Sequence, residues 1–176
     1  KRAKETNIGE VLVATENVRQ ITSATDPNSE GIWGIQSRSG SGATLNSFTN
    51  GTFSNGNSGS TGFNDNTIIG VALDADNGKL YFHKDGPFKD LSGNTGNPAN
   101  PTNPTFTGLP TDGTFLLPYV ENRTSSGSPS SQVNFGGAPS FAISSGNSDA
   151  NGYGNFEYTV PSGYYALNSK NLAEFG

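Results

Sequence analysis

The chain has 176 residues, a length that suits one domain with a buried core. Its net charge of −5 removes the basic face that DNA, RNA or an anionic membrane would need, and no apolar run reaches the roughly 20 residues of a membrane-crossing helix. With no Cys and one His there are no disulfides, no cysteine nucleophile and no His/Cys zinc site.

Charged residues make up only 14% of the chain, while Gly (24) and Pro (10) are frequent, a balance that favours turns and strands over helices. Eleven Phe and six Tyr recur in short clusters, enough to supply a core despite the low hydrophobic fraction of 31%. The opening Lys1-Arg2-Ala3-Lys4-Glu5 reads like the interior of a longer polypeptide.

Glu10 to Thr15 is the first expected strand. Val11 and Val13 share one face and Leu12 and Ala14 the other, so both sides are apolar, as in a central strand. Gly31 to Gln36 follows and carries Trp33, the only tryptophan. Ser37 to Ser60, mostly Ser, Gly, Asn and Thr with Leu45, Phe48 and Phe53 among them, reads as a long loop. The clearest element is a hairpin: Thr67 to Asp74 alternates, Asp76-Asn77-Gly78 supplies a tight turn with φ > 0 positions, and Lys79 to His83 alternates again. Ile69, Val71, Leu73, Leu80 and Phe82 are expected in the core, with Lys79, Tyr81 and His83 facing outward.

Asp90 to Pro104 repeats Asn-Pro three times, which resists both helix and inner strand, and makes a long connection. Thr114 to Glu121 is a strand whose Pro118 predicts an edge or a bulge. Gln132 to Phe135 (Val133 and Phe135 inward) and Asn155 to Val160 are further expected strands, separated by a Gly, Ser and Asn-rich excursion from Ser140. Leu167 to Glu174 is the one helix-friendly stretch. The fold class that follows is all-β, an antiparallel two-sheet β-sandwich with long Gly/Ser/Asn-rich loops.

Catalytic constellations are scarce. A Ser-His-Asp site would have to use His83. The paired carboxylates of a glycan-cleaving sandwich have no counterpart in spacing here, and no catalytic residue is assigned. Asp74, Asp76 and Asn77 raise the question of calcium, but three oxygen donors fall short of a full shell and a turn accounts for them, so no metal or cofactor is expected. Gly-rich Ser37 to Gly62 lacks the Gly-Lys-Ser/Thr ending of a phosphate loop. Trp33 is the one candidate ligand-binding residue, as a stacking platform for a sugar; the competing reading places it in the core. The sequons Asn50-Gly51-Thr52 and Asn122-Arg123-Thr124 matter only in a secreted eukaryotic protein.

The hairpin Ile69 to Gly86, with its Gly-Val-Ala-Leu-Asp strand, Asn-Gly turn and Lys84-Asp85-Gly86 ending, resembles the central signature of SPRY (B30.2-like) domains. Phe106-Thr107-Gly108-Leu109 with Phe115 to Val120, then Val133-Asn134-Phe135-Gly136, are similar to the segments that follow in that family. Pro161 to Asn168 with Asn171-Leu172 resembles the tail of SPRY-like domains in tailed-bacteriophage structural proteins. The resemblance runs from about Val11 to Leu172. It departs from the family pattern in the excursion Ser140 to Glu157 and in lacking the Trp-Tyr-x-Glu-like strands ahead of Val11; the missing strands suggest either the C-terminal part of a larger polypeptide or a sheet that something else completes, and the expected unit is a single concanavalin-like, SPRY-like domain over 1–176.

The resemblance implies a non-enzymatic virion module of a tail fibre, spike or capsid-surface appendage. Its expected partners are neighbouring virion proteins or further copies of itself, and a host-surface glycan or protein, with no nucleic acid and no membrane insertion. The contact loops would be Ser37 to Ser60, Asp90 to Pro104 and Ser140 to Asn155, at the rims where a sandwich displays them. A cellular SPRY-type adaptor is the alternative, and a carbohydrate-active enzyme the third reading.

Overall fold

The computed structural model describes residues 7–16, 30–38, 44–56, 62, 66–124, 131–137 and 141–175; Lys1 to Glu5 lie outside them. Nine strands and one short helix are found there, in the order β1 (Asn7–Thr15), β2 (Ile32–Arg38), β3 (Thr44–Thr49), β4 (Thr52–Ser54), β5 (Ile69–Asp74), β6 (Lys79–Lys84), β7 (Phe88–Lys89), β8 (Phe106–Thr107), β9 (Leu116–Thr124) and α1 (Ser169–Phe175). The protein is an all-β two-sheet sandwich. One antiparallel sheet has the order β4-β3-β2-β1-β9; the other runs β5-β6-β7, with β8 also paired to β6.

β1 is central, between β2 and β9, and its two apolar faces serve two cores. Val13 joins Trp33, Ile35 and Leu45 on the inner face, where they meet Leu80 and Phe82 of β6, Phe106 of β8 and Leu109. This is the seam between the sheets, and burying each large side chain there contributes about 1.5–3 kcal/mol. Leu12 and Ala14 lie on the opposite face with Ile32 and Phe48, in a second buried cluster. β9 is the outermost strand, with Pro118 opposite Val13, so the missing donor sits on an edge strand.

The segment expected as a loop from Ser37 to Ser60 holds β3 and β4 instead. Asn50 (φ 42°) and Gly51 (φ 87°) make a two-residue hairpin turn between the paired residues Thr49 and Thr52. The polar residues of β3 remain buried because they are satisfied: Asn46, at 0% exposure, donates to Gln36 Oε1 (3.0 Å) and accepts from the Gly56 N–H (3.1 Å).

The hairpin β5–β6 forms as expected, with Val71 opposite Phe82 and Leu73 opposite Leu80. Three details differ. Its connection is a four-residue loop in which only Gly78 takes positive φ, steadied by Asp74 Oδ1 accepting the Asn77 N–H at 3.1 Å. Val71 is 45% exposed, since β5 is an edge strand and the core stops short of it. Tyr81 and His83, expected outside, are buried, because the outer face of β6 is covered as well.

Gln132 to Phe135 and Asn155 to Val160 are not strands. Asn134 turns its own chain by accepting the Gly136 N–H (2.8 Å) and donates to the Asn155 carbonyl (2.7 Å), side-chain bonds that replace a ladder, and Val133 and Phe135 are exposed. In the second stretch only Phe156 makes a bridge, to Asn147. α1 falls within the expected helical stretch; Asn168 caps it by accepting the N–H groups of Lys170 and Asn171. Its buried residue is the polar Asn171, while Leu172 and Phe175 are exposed.

Candidate functional site

Three features built on the four-stranded sheet carry the polar and aromatic groups of interest: the outer face of β6, the segment that covers it, and the loop between β7 and β8.

On the outer face, alternation along β6 presents Tyr81 and His83, opposite Ala72 and Gly70 of β5. The imidazole of His83 meets the ring of Phe88 edge-on at 5.0 Å and that of Tyr158 at the same distance, while Tyr81 meets Phe88 at 6.4 Å. His83 Nδ1 accepts the Gly86 N–H at 3.4 Å, which leaves the neutral ring its proton on Nε2. Burial pushes the imidazole down to about 4 against the pull of the Asp85 carboxylate. A general base would need its free nitrogen open to substrate and paired with a nucleophile. Here Nδ1 is engaged by backbone, and both flanking contacts are aromatic.

Tyr81 is fully buried, and its hydroxyl is the one buried side-chain polar atom, among the described residues, without a hydrogen-bond partner. Burial raises its phenol above the ordinary range, with Asp74 adding to the effect. Tyr164 nearby is raised to about 12 by burial, with Asp74 and Tyr81 contributing.

The covering segment, residues 141–175, is organised by Asp149. Its carboxylate, 6% exposed, accepts the N–H groups of Asn151 (3.0 Å), Tyr153 (2.9 Å) and Ala166 (2.8 Å) and the side-chain amide of Asn171 (2.7 Å). Burial alone would raise its pKa; these donors outweigh burial and hold it below the usual carboxylate range. One acidic side chain thereby ties a loop, the extended stretch near Ala166 and α1 into a unit. Nothing in the local sequence announces it, because three of its four partners are backbone groups.

The loop Asp90 to Pro104 leaves the sheet after β7 and returns at β8. Asp90 accepts from the N–H groups of Ser92 (2.9 Å) and Asn94 (2.8 Å), and Asn97 bridges to Thr102. Asn103 donates to the Thr95 carbonyl at 2.9 Å. At its base the buried Thr105 hydroxyl takes the Phe82 N–H (2.9 Å) and donates to the Lys89 carbonyl (2.8 Å), filling the gap in the ladder between β7 and β8. The loop is thus braced from within, while most of its residues are exposed to solvent.

The other sequence candidates fall elsewhere. Trp33 is 2% exposed and packs in the core between the sheets, so neither ring face is open for stacking on a sugar. The Asp74 carboxylate is bound to the Asn77 backbone and side-chain amides (2.9–3.1 Å). Of the three expected contact loops, Ser37 to Ser60 holds two strands where described, with 39–43 and 57–60 outside the described residues. Ser140 lies outside them too; the rest of that stretch forms the Asp149 unit, where Ser144 donates its N–H (2.7 Å) and hydroxyl to Glu157. Among the described residues no cluster of three or more acidic or His side chains could hold a metal ion, and no helix is long and apolar enough to cross a membrane.

Compared with family models, curated proteins and solved structures, the chain matches none.

Proposed function

We propose that this chain is a non-enzymatic recognition or scaffolding module whose contact element is the loop Asp90 to Pro104. The observation that carries the reading is the loop's combination of exposure with internal bracing. A polar surface already held in one shape binds without a large ordering cost, and its exposed amides and hydroxyls suit hydroxyl-rich or backbone-like partners. The hairpin, which resembles the SPRY signature, and the tail, which resembles that of SPRY-like domains in tailed-bacteriophage structural proteins, give the context: a virion appendage that touches a host-surface glycan or protein, or its neighbours in the particle. A cellular peptide-binding adaptor fits less well, because the loop presents Asn, Thr, Ser and Pro in place of an aromatic, charged groove.

Incubation with bacterial surface polysaccharides tests the reading. Retention of intact polysaccharide, or of a purified virion protein, with no new reducing ends is the expected result. Release of reducing ends would establish a glycan-cleaving enzyme instead.

A further inference from the structure

His83 is the only histidine of the chain, and it sits where the four-stranded sheet meets the segment 141–175. Its ring is enclosed on every side: Gly70 of β5 beneath, Phe88 of β7 and Tyr158 of the segment against its faces and edges, and the Gly86 N–H on Nδ1. Protonation puts a second N–H on Nδ1, where it would face the Gly86 N–H donor to donor. Of the groups packed around the ring, Asp85 on the β6–β7 turn is charged and Tyr158 titrates only in alkali; Gly70 and Phe88 do not titrate. Lys84 points to the opposite face of β6, with its partner Ile69. The segment, meanwhile, holds itself together through Asp149.

We propose that His83 is an acid-operated latch: protonation of its imidazole releases the segment 141–175 from the outer face of the four-stranded sheet, uncovering Tyr81 and Phe88 while the sandwich core stays folded. The burial that holds the docked imidazole near 4, against 6.5 for a free one, sets the window. Within it the release equilibrium gains up to about tenfold per pH unit as pH falls.

The test is hydrogen exchange on the intact chain between pH 7.5 and 4, corrected for intrinsic rates, with residues 79–84 as the core reference and 141–175 as the reporter. The expected result is that the segment loses protection below about pH 6.5 by up to about tenfold per unit and exchanges faster than β6 at every pH, while β6, which opens only on global unfolding, falls in parallel through the same proton. His83→Phe, which keeps a ring that cannot titrate, is expected to flatten this dependence. Tyr158→Ala, which keeps the histidine but removes its lid, is expected to leave the segment open at pH 7.5. Should His83→Phe fail to fold, the wild-type imidazole Hε1 resonance, a single signal from the one histidine, must titrate in step with segment release. Equal protection of the segment and β6 at every pH, an unchanged slope in His83→Phe, or an imidazole that titrates while the segment stays closed would each overturn the latch.

Discussion

The imidazole of His83 lies directly over Gly70: a Cβ added to Gly70 would fall 1.8 Å from His83 Nε2. The pair faces across the β5–β6 hairpin, and Phe88 and Tyr158 leave the ring little room to yield. Gly70→Ala is therefore expected to cost about 2–3 kcal/mol by overpacking. The same change made in a His83→Ala background should cost under about 1 kcal/mol, a coupling that a double-mutant cycle in urea would read. Equal costs in both backgrounds would place the strain elsewhere.

Tyr81 gives the opposite sign. Its hydroxyl is buried without a partner, so removing it relieves a desolvation penalty. Tyr81→Phe is expected to stabilise the protein by about 1–2 kcal/mol, seen as a rise in the thermal midpoint. A fall would mean that the phenol has a partner in solution.

Stability should decline in mild acid. Above pH 6.5 His83 is neutral folded and unfolded alike and adds no slope. As pH falls from 6.5 towards 4 the unfolded chain takes up the proton first, and stability is lost at up to about 1.4 kcal/mol per unit, about 3 kcal/mol in all. Below 4 the folded chain binds the proton too and this loss levels off. Urea melts at stepped pH check the slope, which His83→Phe should remove. The depressed Asp149 carboxyl works in the same direction further into acid, its stabilisation being lost as pH falls through its folded value.

Asp149→Ala strips four donors of their shared acceptor. A cost of about 3 kcal/mol or more to the segment is expected, because a charged acceptor with several partners is worth more than one neutral hydrogen bond. Amide exchange should locate the loss in residues 149–171, with the β1–β2 ladder unaffected.

The legibility of this fold follows from where its information lies. β1, β2, β9 and the β5–β6 hairpin are readable because alternating apolar side chains state which face is inward. β3 and β4 are hidden by composition: a strand of Asn, Ser and Thr is indistinguishable from a loop until Gln36 and Gly56 are seen to satisfy Asn46. The Asn50-Gly51 dipeptide between Phe48 and Phe53 is the hairpin signal that could have revealed them. Gln132 to Phe135 misleads for the converse reason: it alternates, but Asn134 turns its own backbone. The outward assignment of Tyr81 and His83 fails because alternation separates two faces without saying whether the second is covered. Its cover, residues 141–175, depends on Asp149 and backbone donors up to 17 residues distant, which no local pattern encodes.

The proposal that the Asp90 to Pro104 loop is the contact element meets its most direct test in a binding measurement on bacterial surfaces. Labelled chain is applied to a panel of Gram-negative and Gram-positive bacterial cells and to purified bacterial surface polysaccharide, alongside a variant in which residues 91–103 are replaced by a short Gly-Ser turn. Retained binding by the natural chain, with at least tenfold weaker binding by a variant whose β-sheet circular dichroism is unchanged, is the predicted result. Equal binding by the two folded proteins would contradict it.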